Sequence, residues 1–166
     1  YESGSLKAEL CVKGNKLIYD FARKHEIDFL NCGKLVVGHD SRDLEKLKNL
    51  LDRGKLNGVE NLMLLSNSEA TKIQPGVKCQ NALWVPSTGI IDSHGVMNCL
   101  EKQILQKEGI VYYNSEVVSM EKRDKNYMIS IKGQDSEIKS PIVINSAGLW
   151  CDAVSYMLGI NKYLPL

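Results

Sequence analysis

Residues 142–160 read IVINSAGLWCDAVSYMLGI, and this stretch decides the predicted fold. It opens with a β-branched run whose apolar residues lie on both faces, which is typical of a parallel strand buried in a doubly wound sheet. The small residues Ser146, Ala147 and Gly148 then predict a turn, and the pattern after them predicts a helix. Strand, turn and helix are how α/β proteins bring backbone N–H groups close to a phosphate. Such a junction is more often a plain connection, so the rest of the chain has to decide what it binds.

The remaining sequence predicts a mixed α/β (α+β) protein. Helical spacing of apolar residues predicts three long helices, at 5–24, from an N-cap at Ser41 to Gly58, and at 93–107. The stretches IDFLNCGKLVVGH, LMLLS and ALWVPSTGIID predict short strands, and NSEATKIQPG predicts one helical turn. A three-stranded meander then leads back to the buried strand.

The composition argues against several classes of protein. The 166 residues are 43% hydrophobic and 25% charged, and the net charge of +1 is spread over both signs. This balance argues against a nucleic-acid partner and an anionic-membrane partner. The longest apolar runs are far too short for a transmembrane segment. An odd number of cysteines without CxxC spacing indicates free thiols in a reducing compartment, which favours a cytoplasmic location.

The motifs that would identify a nucleotide site or a catalytic site are few. GxGxxG is absent, and none of the 13 glycines stands in a GxG. The chain therefore resembles the far end of a nucleotide-binding domain without its phosphate-binding start. His25, His39 and His94 have no sequence neighbours that suggest a triad or a metal site, so no metal is expected.

Several stretches, taken in order, carry a resemblance to a known family. They are YESGSLKAELCVKG, CGKLVV, RGKLNGVENLMLL, STGIID and VINSAGLWCDAVS. With these the chain resembles FAD-dependent oxidoreductases of the D-amino-acid-oxidase-like superfamily, and within it the L-2-hydroxyglutarate dehydrogenase and oxidase branch. The resemblance covers essentially all residues. It implies part of a Rossmann-like FAD-binding domain joined to part of a substrate domain with a mixed β-sheet.

The resemblance also implies a division of the chain and a set of cofactor contacts. Residues 1–26 would border the FAD domain, residues 27–91 would belong to the substrate domain, and residues 92–166 would belong to the FAD domain. In the last part, the residues that would contact FAD are Val117 through its backbone to the adenine, and Ala147, Gly148 and Leu149 near the pyrophosphate and ribityl region.

The substrate side follows from the same resemblance. Thr88 and Gly89 in STGIID would lie nearest the substrate, and Lys34 in CGKL would attract a dicarboxylate. Simple surface exposure is an equally good interpretation of Lys34. The implied reaction transfers a hydride from C2 of an L-2-hydroxy acid, such as L-2-hydroxyglutarate, to flavin N5 while a base takes the hydroxyl proton. The product is a 2-oxo acid.

The sequence departs from the family at both ends, and other interpretations stay open. The phosphate loop and the expected histidine base are missing, so we expect a central fragment that binds FAD weakly or not at all and has no turnover. One alternative is a non-catalytic remnant or binding module. Another is a family member acting on glycerol 3-phosphate or an amino acid. Exposed sheet edges predict self-association or a complementing polypeptide. Peripheral attachment to the inner membrane face is an alternative to a purely cytoplasmic location.

Overall fold

The computed structural model describes residues 1–160, and the chain divides into two compact units. The first unit is Tyr1–Gly109 and the second is Ile110–Leu166. Residues 161–166, the end of the expected FAD-binding part, lie outside the described residues. The fold is mixed α/β, as predicted.

The first unit contains four helices and two small sheets. The helices are α1 (Leu6–Lys24), α2 (Ser41–Leu56), α3 (Asn67–Ile73) and α4 (Ser93–Gln106). The strands are β1 (Phe29–Leu30), β2 (Lys34–Gly38), β3 (Met63–Ser66), β4 (Asn81–Val85) and β5 (Ile90–Ile91). One sheet has the antiparallel order β2-β4-β3, and β1 pairs antiparallel with β5.

Helix starts in the first unit follow local capping chemistry. The Ser5 hydroxyl accepts the N–H of Ala8 at 3.2 Å and begins α1. For α2 the predicted cap, Ser41, is wrong by one residue. Asp40 is the N-cap, and its carboxylate accepts the N–H of Asp43 at 2.9 Å. Both residue types are good caps, so the sequence alone could not separate them.

The core of the first unit lies on both faces of the β2-β4-β3 sheet. On one face, Leu47 of α2 and Leu83 of β4 are only 2% and 3% exposed. On the opposite face, Ala82 of β4 and Ala70 of α3 are fully buried. Successive residues of a strand point to opposite faces, so the burial of both Ala82 and Leu83 shows that β4 is covered on both faces.

The second unit is an antiparallel meander followed by a short helix. Its strands are β6 (Val117–Arg123), β7 (Asn126–Ile131) and β8 (Ile138–Ser140), paired in that order. A 3-10 turn at Gly148–Trp150 precedes α5 (Cys151–Met157), which packs against β6. Met120 and Ile131 are the buried apolar residues among residues 110–160.

The strand predicted over residues 141–145 is not formed. Residues 141–147 belong to no strand, and Ile142 and Ile144 are 71% and 83% exposed. Instead, the Ser140 hydroxyl donates to the carbonyl of Ile142 at 2.7 Å just after β8 ends. A parallel strand is stable only when neighbouring strands satisfy its backbone groups, and no described strand pairs with this segment. The helix predicted after it is present as α5.

Candidate functional site

The structure brings the three predicted substrate residues together at one end of the main sheet. Lys34 begins β2 opposite Val85, the last residue of β4. The turn from β4 to β5 contains Thr88 and Gly89, and the carbonyl of Thr88 accepts the N–H of Gly33 at 2.8 Å. Lys34 is exposed, whereas Thr88 and Gly89 are partly buried. These three residues therefore form one cluster within the first unit.

Three side chains outside the predicted site residues hold this turn. Asn15 and Tyr19 of α1 both donate to the carbonyl of Ser87, at 3.0 and 3.1 Å. With its amide in the orientation that satisfies both of its polar atoms, Asn31 donates to the carbonyls of Pro86 and Thr88 at 2.8 and 3.0 Å. The only available signal was that Asn15 and Tyr19 are one helical turn apart and share a face.

A cavity of about 720 Å³ adjoins this cluster in the first unit. Its walls come from α1, the end of α2 with the loop after it, and the main sheet, and they include apolar side chains such as Val12, Val36 and Leu83. Of the three clustered residues, only Lys34 lies on its lining, together with Ser87, while Thr88 and Gly89 do not. The volume is in the range of small-molecule sites, and apolar walls with a few polar groups are their usual character.

Cations dominate the charged lining of the cavity. Lys16 pairs with Glu60 at 2.6 Å and Arg23 pairs with Asp20 at 2.7 Å, all with well exposed side chains. The hydrogen bond from the Lys16 ammonium holds the pKa of Glu60 below its usual range. Two other lining cations, Lys34 and Arg53, form no ion pair among residues 1–160. The cavity therefore offers positive charge that suits a carboxylate ligand.

The predicted FAD residues lie in the second unit. Val117 is the first residue of β6, opposite Ile131, and the register shifts between Val117 and Ser119. Ala147, Gly148 and Leu149 form the turn before α5, where the N–H of Ala147 donates to the Asn145 side chain at 3.2 Å. The helix that follows this turn packs against the strand that begins with Val117. Both predicted contact segments therefore belong to one small assembly of β6 and α5.

The turn at 147–149 has the local properties that an FAD contact needs. Gly148 has φ +58°, and a Cβ at this position would meet no atom within 4 Å. Leu149 is 96% exposed. Within residues 1–160, the N–H groups of Gly148 and Leu149 have no acceptor. Small residues with available N–H donors fit the approach of a phosphate or ribityl oxygen, although the sequence lacks the GxGxxG loop that would hold the pyrophosphate.

The histidines occupy ordinary positions. His25 caps the end of α1, with its ring 4.5 Å from Phe21 and its Nε2 3.4 Å from the Gln103 amide nitrogen. The backbone N–H groups of His39 and His94 donate to nearby aspartates. Within residues 1–160 no cluster of His, Cys, Asp and Glu could hold a metal ion, and no helix is long and apolar enough to cross a membrane.

Comparison with known families decides the classification. A family model described as FAD dependent oxidoreductase matches residues 1–165. The chain belongs to this family of FAD-dependent oxidoreductases. The resemblance inferred from the sequence stretches is therefore confirmed.

Curated relatives of this chain include several L-2-hydroxyglutarate dehydrogenases. The mitochondrial L-2-hydroxyglutarate dehydrogenase of Bos taurus is 33% identical over 171 residues, which cover 97% of this chain and 37% of that protein. The L-2-hydroxyglutarate dehydrogenase of Escherichia coli is 30% identical over 161 residues, covering 97% of this chain and 38% of that protein. The chain thus spans less than two fifths of the length of these relatives.

Solved structures show the same fold at lower identity. L-proline dehydrogenase from P. horikoshii superposes with a TM-score of 0.82 at 19% identity, over 95% of this chain and 42% of that one. Glycine oxidase from Geobacillus kaustophilus also superposes with a TM-score of 0.82, at 15% identity, over 96% of this chain and 44% of that one. At this identity the likeness establishes the fold and leaves the substrate open.

Proposed function

We propose that the protein to which these residues belong oxidises L-2-hydroxyglutarate to 2-oxoglutarate with FAD. The observation that carries this proposal is the alignment of 97% of the chain with L-2-hydroxyglutarate dehydrogenases at 30–33% identity. The cationic cavity beside the turn at 86–89 supports it, because the lining cations Lys34 and Arg53 suit the negatively charged carboxylates of a dicarboxylate.

The resemblance to the family assigns roles to several residues of this chain. Lys34 attracts a carboxylate, and the turn with Thr88 and Gly89 places the carbon that bears the hydroxyl group. Bound FAD would supply the two-electron acceptor. On this proposal the backbone of Val117 contacts the adenine, and the turn at 147–149 contacts the ribityl and pyrophosphate region. The base that takes the hydroxyl proton is proposed to lie outside residues 1–166.

Residues 1–166 alone are proposed to bind FAD weakly or not at all and to show no turnover. The reason is the missing GxGxxG loop, whose backbone N–H groups provide most of the pyrophosphate contacts in dinucleotide folds. A cytoplasmic location remains our prediction, although the names of the bovine and mouse relatives place those proteins in mitochondria.

The test uses the full polypeptide expressed from its own gene, in parallel with residues 1–166 alone. Each is titrated with FAD, and the flavin fluorescence and visible spectrum are followed. L-2-hydroxyglutarate is then added without oxygen, beside its D-enantiomer, glycerol 3-phosphate and an amino acid. We expect the L-2-hydroxy acid alone to bleach the flavin band of the full polypeptide. Bleaching by glycerol 3-phosphate or the amino acid instead would refute the substrate assignment.

A charge variant tests the proposed role of Lys34. Lys34→Met should raise KM for the dicarboxylate about tenfold, the size expected for loss of a charge-assisted hydrogen bond, while kcat changes less. Lys13→Met is the matched control, because Lys13 is an exposed lysine of α1 that does not line the cavity. Equal effects of the two variants on KM would show that Lys34 does not bind the substrate.

A further inference from the structure

Every backbone carbonyl at the centre of the turn at 86–89 accepts a hydrogen bond from the scaffold of the first unit. The carbonyl of Pro86 accepts a hydrogen bond from the Asn31 side chain, and the carbonyl of Ser87 accepts hydrogen bonds from the side chains of both Asn15 and Tyr19. The carbonyl of Thr88 accepts hydrogen bonds from the N–H of Gly33 and from the Asn31 side chain. Three successive carbonyls satisfied from outside the turn are more than a surface turn needs, since water can bind exposed carbonyls. The turn is therefore held by specific donors.

The contact between α1 and the turn is also sterically tight. A Cβ on Gly89 would collide with the Tyr19 hydroxyl and lie 2.5 Å from the carbonyl oxygen of Leu30. The ring of Tyr19 packs on Phe29, with centroids 5.3 Å apart and planes tilted by 60°. Tyr19 is thus fixed on two sides, and only a glycine fits at position 89 against its hydroxyl.

The donors bind the backbone of the turn and leave its side-chain hydroxyls available. Among residues 1–160, neither the Ser87 hydroxyl nor the Thr88 hydroxyl has a hydrogen-bond partner, although both residues are partly buried. Partly buried hydroxyls without a protein partner on a fixed turn are suited to binding a polar ligand.

From these contacts we infer that Asn15 and Tyr19 are positioning residues for the substrate. They act through the Ser87 carbonyl, which keeps Thr88 and Gly89 in place for the 2-hydroxy acid. This inference rests on the proposed function, because the turn is assigned to substrate there. It adds that helix α1, through two side chains one turn apart, sets how tightly the substrate is bound.

Two donors on one carbonyl predict a characteristic pattern in variants. Tyr19→Phe and Asn15→Ala each leave the Ser87 carbonyl with one partner, whereas the double variant leaves none. From the usual net contribution of a hydrogen bond, each single variant should raise KM about two- to threefold, and the double variant about tenfold or more. The effect on KM should exceed the effect on kcat, because substrate positioning is weakened and no reacting group is removed.

The experiment compares these three variants in the FAD-loaded full polypeptide. KM and kcat for L-2-hydroxyglutarate are measured together with hydrogen exchange of the peptide that contains residues 86–91. Tyr156→Phe, which removes a tyrosine hydroxyl from α5, is the chemical control. Ser66→Ala, which removes the α3 cap, is the control for lost stability without a change at the turn.

The expected result is faster exchange at 86–91 and a raised KM that is more than additive in the double variant, with FAD content unchanged. Unchanged exchange in the double variant would overturn the inference. Faster exchange with an unchanged KM would also overturn it, since the turn would then be held for stability alone. A wild-type protein that oxidises no 2-hydroxy acid would refute the proposed function, and the exchange data would still show whether Asn15 and Tyr19 hold the turn.

Discussion

The two units of the chain differ in how much of their apolar surface they bury by themselves. In the first unit, helices cover both faces of the main sheet, and Leu47, Ala82 and Leu83 are at most 3% exposed. In the second unit, Ile144 and Leu149 are 83% and 96% exposed. Four large apolar residues within positions 142–150 are more than 70% exposed, namely Ile142, Ile144, Leu149 and Trp150. Such a group of exposed apolar residues is typical of a surface that binds another surface. We therefore expect the second unit to self-associate or to pack on a complementing polypeptide.

Helix capping shows the same difference. All four helices of the first unit begin at a side chain that accepts a backbone N–H, provided by Ser5, Asp40, Ser66 and Asp92. Helix α5 of the second unit begins at Trp150 without a side-chain cap. Helices of the first unit are thus specified locally, whereas α5 depends on packing.

The largest expected effect tests whether the first unit carries the stability of the chain. Leu47→Ala should lower the free energy of unfolding by about 2–5 kcal/mol, because it leaves a cavity between α2 and the sheet. Leu149→Ala, at an exposed position, should change it by less than about 0.5 kcal/mol. Urea unfolding measures both, with Trp84 fluorescence in a Trp150→Phe background as the reporter of the first unit and far-UV circular dichroism as the reporter of the whole chain. A large effect of Leu149→Ala would contradict the comparison.

Replacing one glycine in each unit by alanine separates the cost of steric overlap from the cost of backbone strain. Gly33 and Gly133 both have positive φ, +67° and +73°. A Cβ on Gly33 would collide with the ring of Trp84, whereas one on Gly133 would meet no atom within 4 Å. Gly33→Ala should therefore cost about 1–3 kcal/mol more than Gly133→Ala, as expected for overpacking added to the backbone strain. Thermal unfolding followed by circular dichroism compares them, and equal losses would show that Trp84 moves freely.

The same difference explains which elements could be predicted from the sequence. The α1 and α4 helices follow from apolar spacing, and the β4–β5 turn follows from Pro86 and Gly89. These signals are local, so no knowledge of distant partners is needed. The strand predicted at 141–145 failed because a buried parallel strand is defined by its neighbours, which a single local pattern cannot supply.

The candidate site likewise has a part that could be predicted from the sequence and a part that could not. The clustering of Lys34 with Thr88 follows from the pairing of β2 with β4, which brings the predicted substrate segments CGKL and STGI to the same end of the sheet, where the N–H of Gly33 donates to the carbonyl of Thr88. The roles of Asn15, Tyr19 and Asn31 could not be predicted, because each depends on a carbonyl more than 50 residues away in sequence. Long-range hydrogen bonds of this kind leave no periodic pattern in the chain.

A smaller effect tests the contribution of capping in the first unit. Ser66→Ala removes the hydroxyl that accepts the N–H of Glu69 at 3.4 Å and should lower the free energy of unfolding by about 0.5–2 kcal/mol. Ser93→Ala is the matched control, since Ser93 is an exposed serine at the first position of α4, whose N-cap is Asp92. Urea unfolding of the two variants measures the difference. A loss no greater than that of the control would mean that packing of Ala70 alone forms α3.

The smallest expected effect is the pH dependence of the same cap. Hydrogen bonds from the Ser66 hydroxyl and backbone N–H lower the pKa of Glu69. A carboxylate whose folded pKa lies below its unfolded value stabilises the fold above the unfolded value, about 4.3 for Glu, and loses this contribution as the pH falls through the folded value. Glu69→Gln should therefore be less stable than the wild type at pH 7, and the gap should close as the pH falls below about 4. Glu45→Gln, on the exposed side of α2, provides the control for a lost carboxylate without a cap. Urea midpoints from pH 3 to pH 7 measure the gap, and a constant gap across this range would show that Glu69 acts by shape instead of charge.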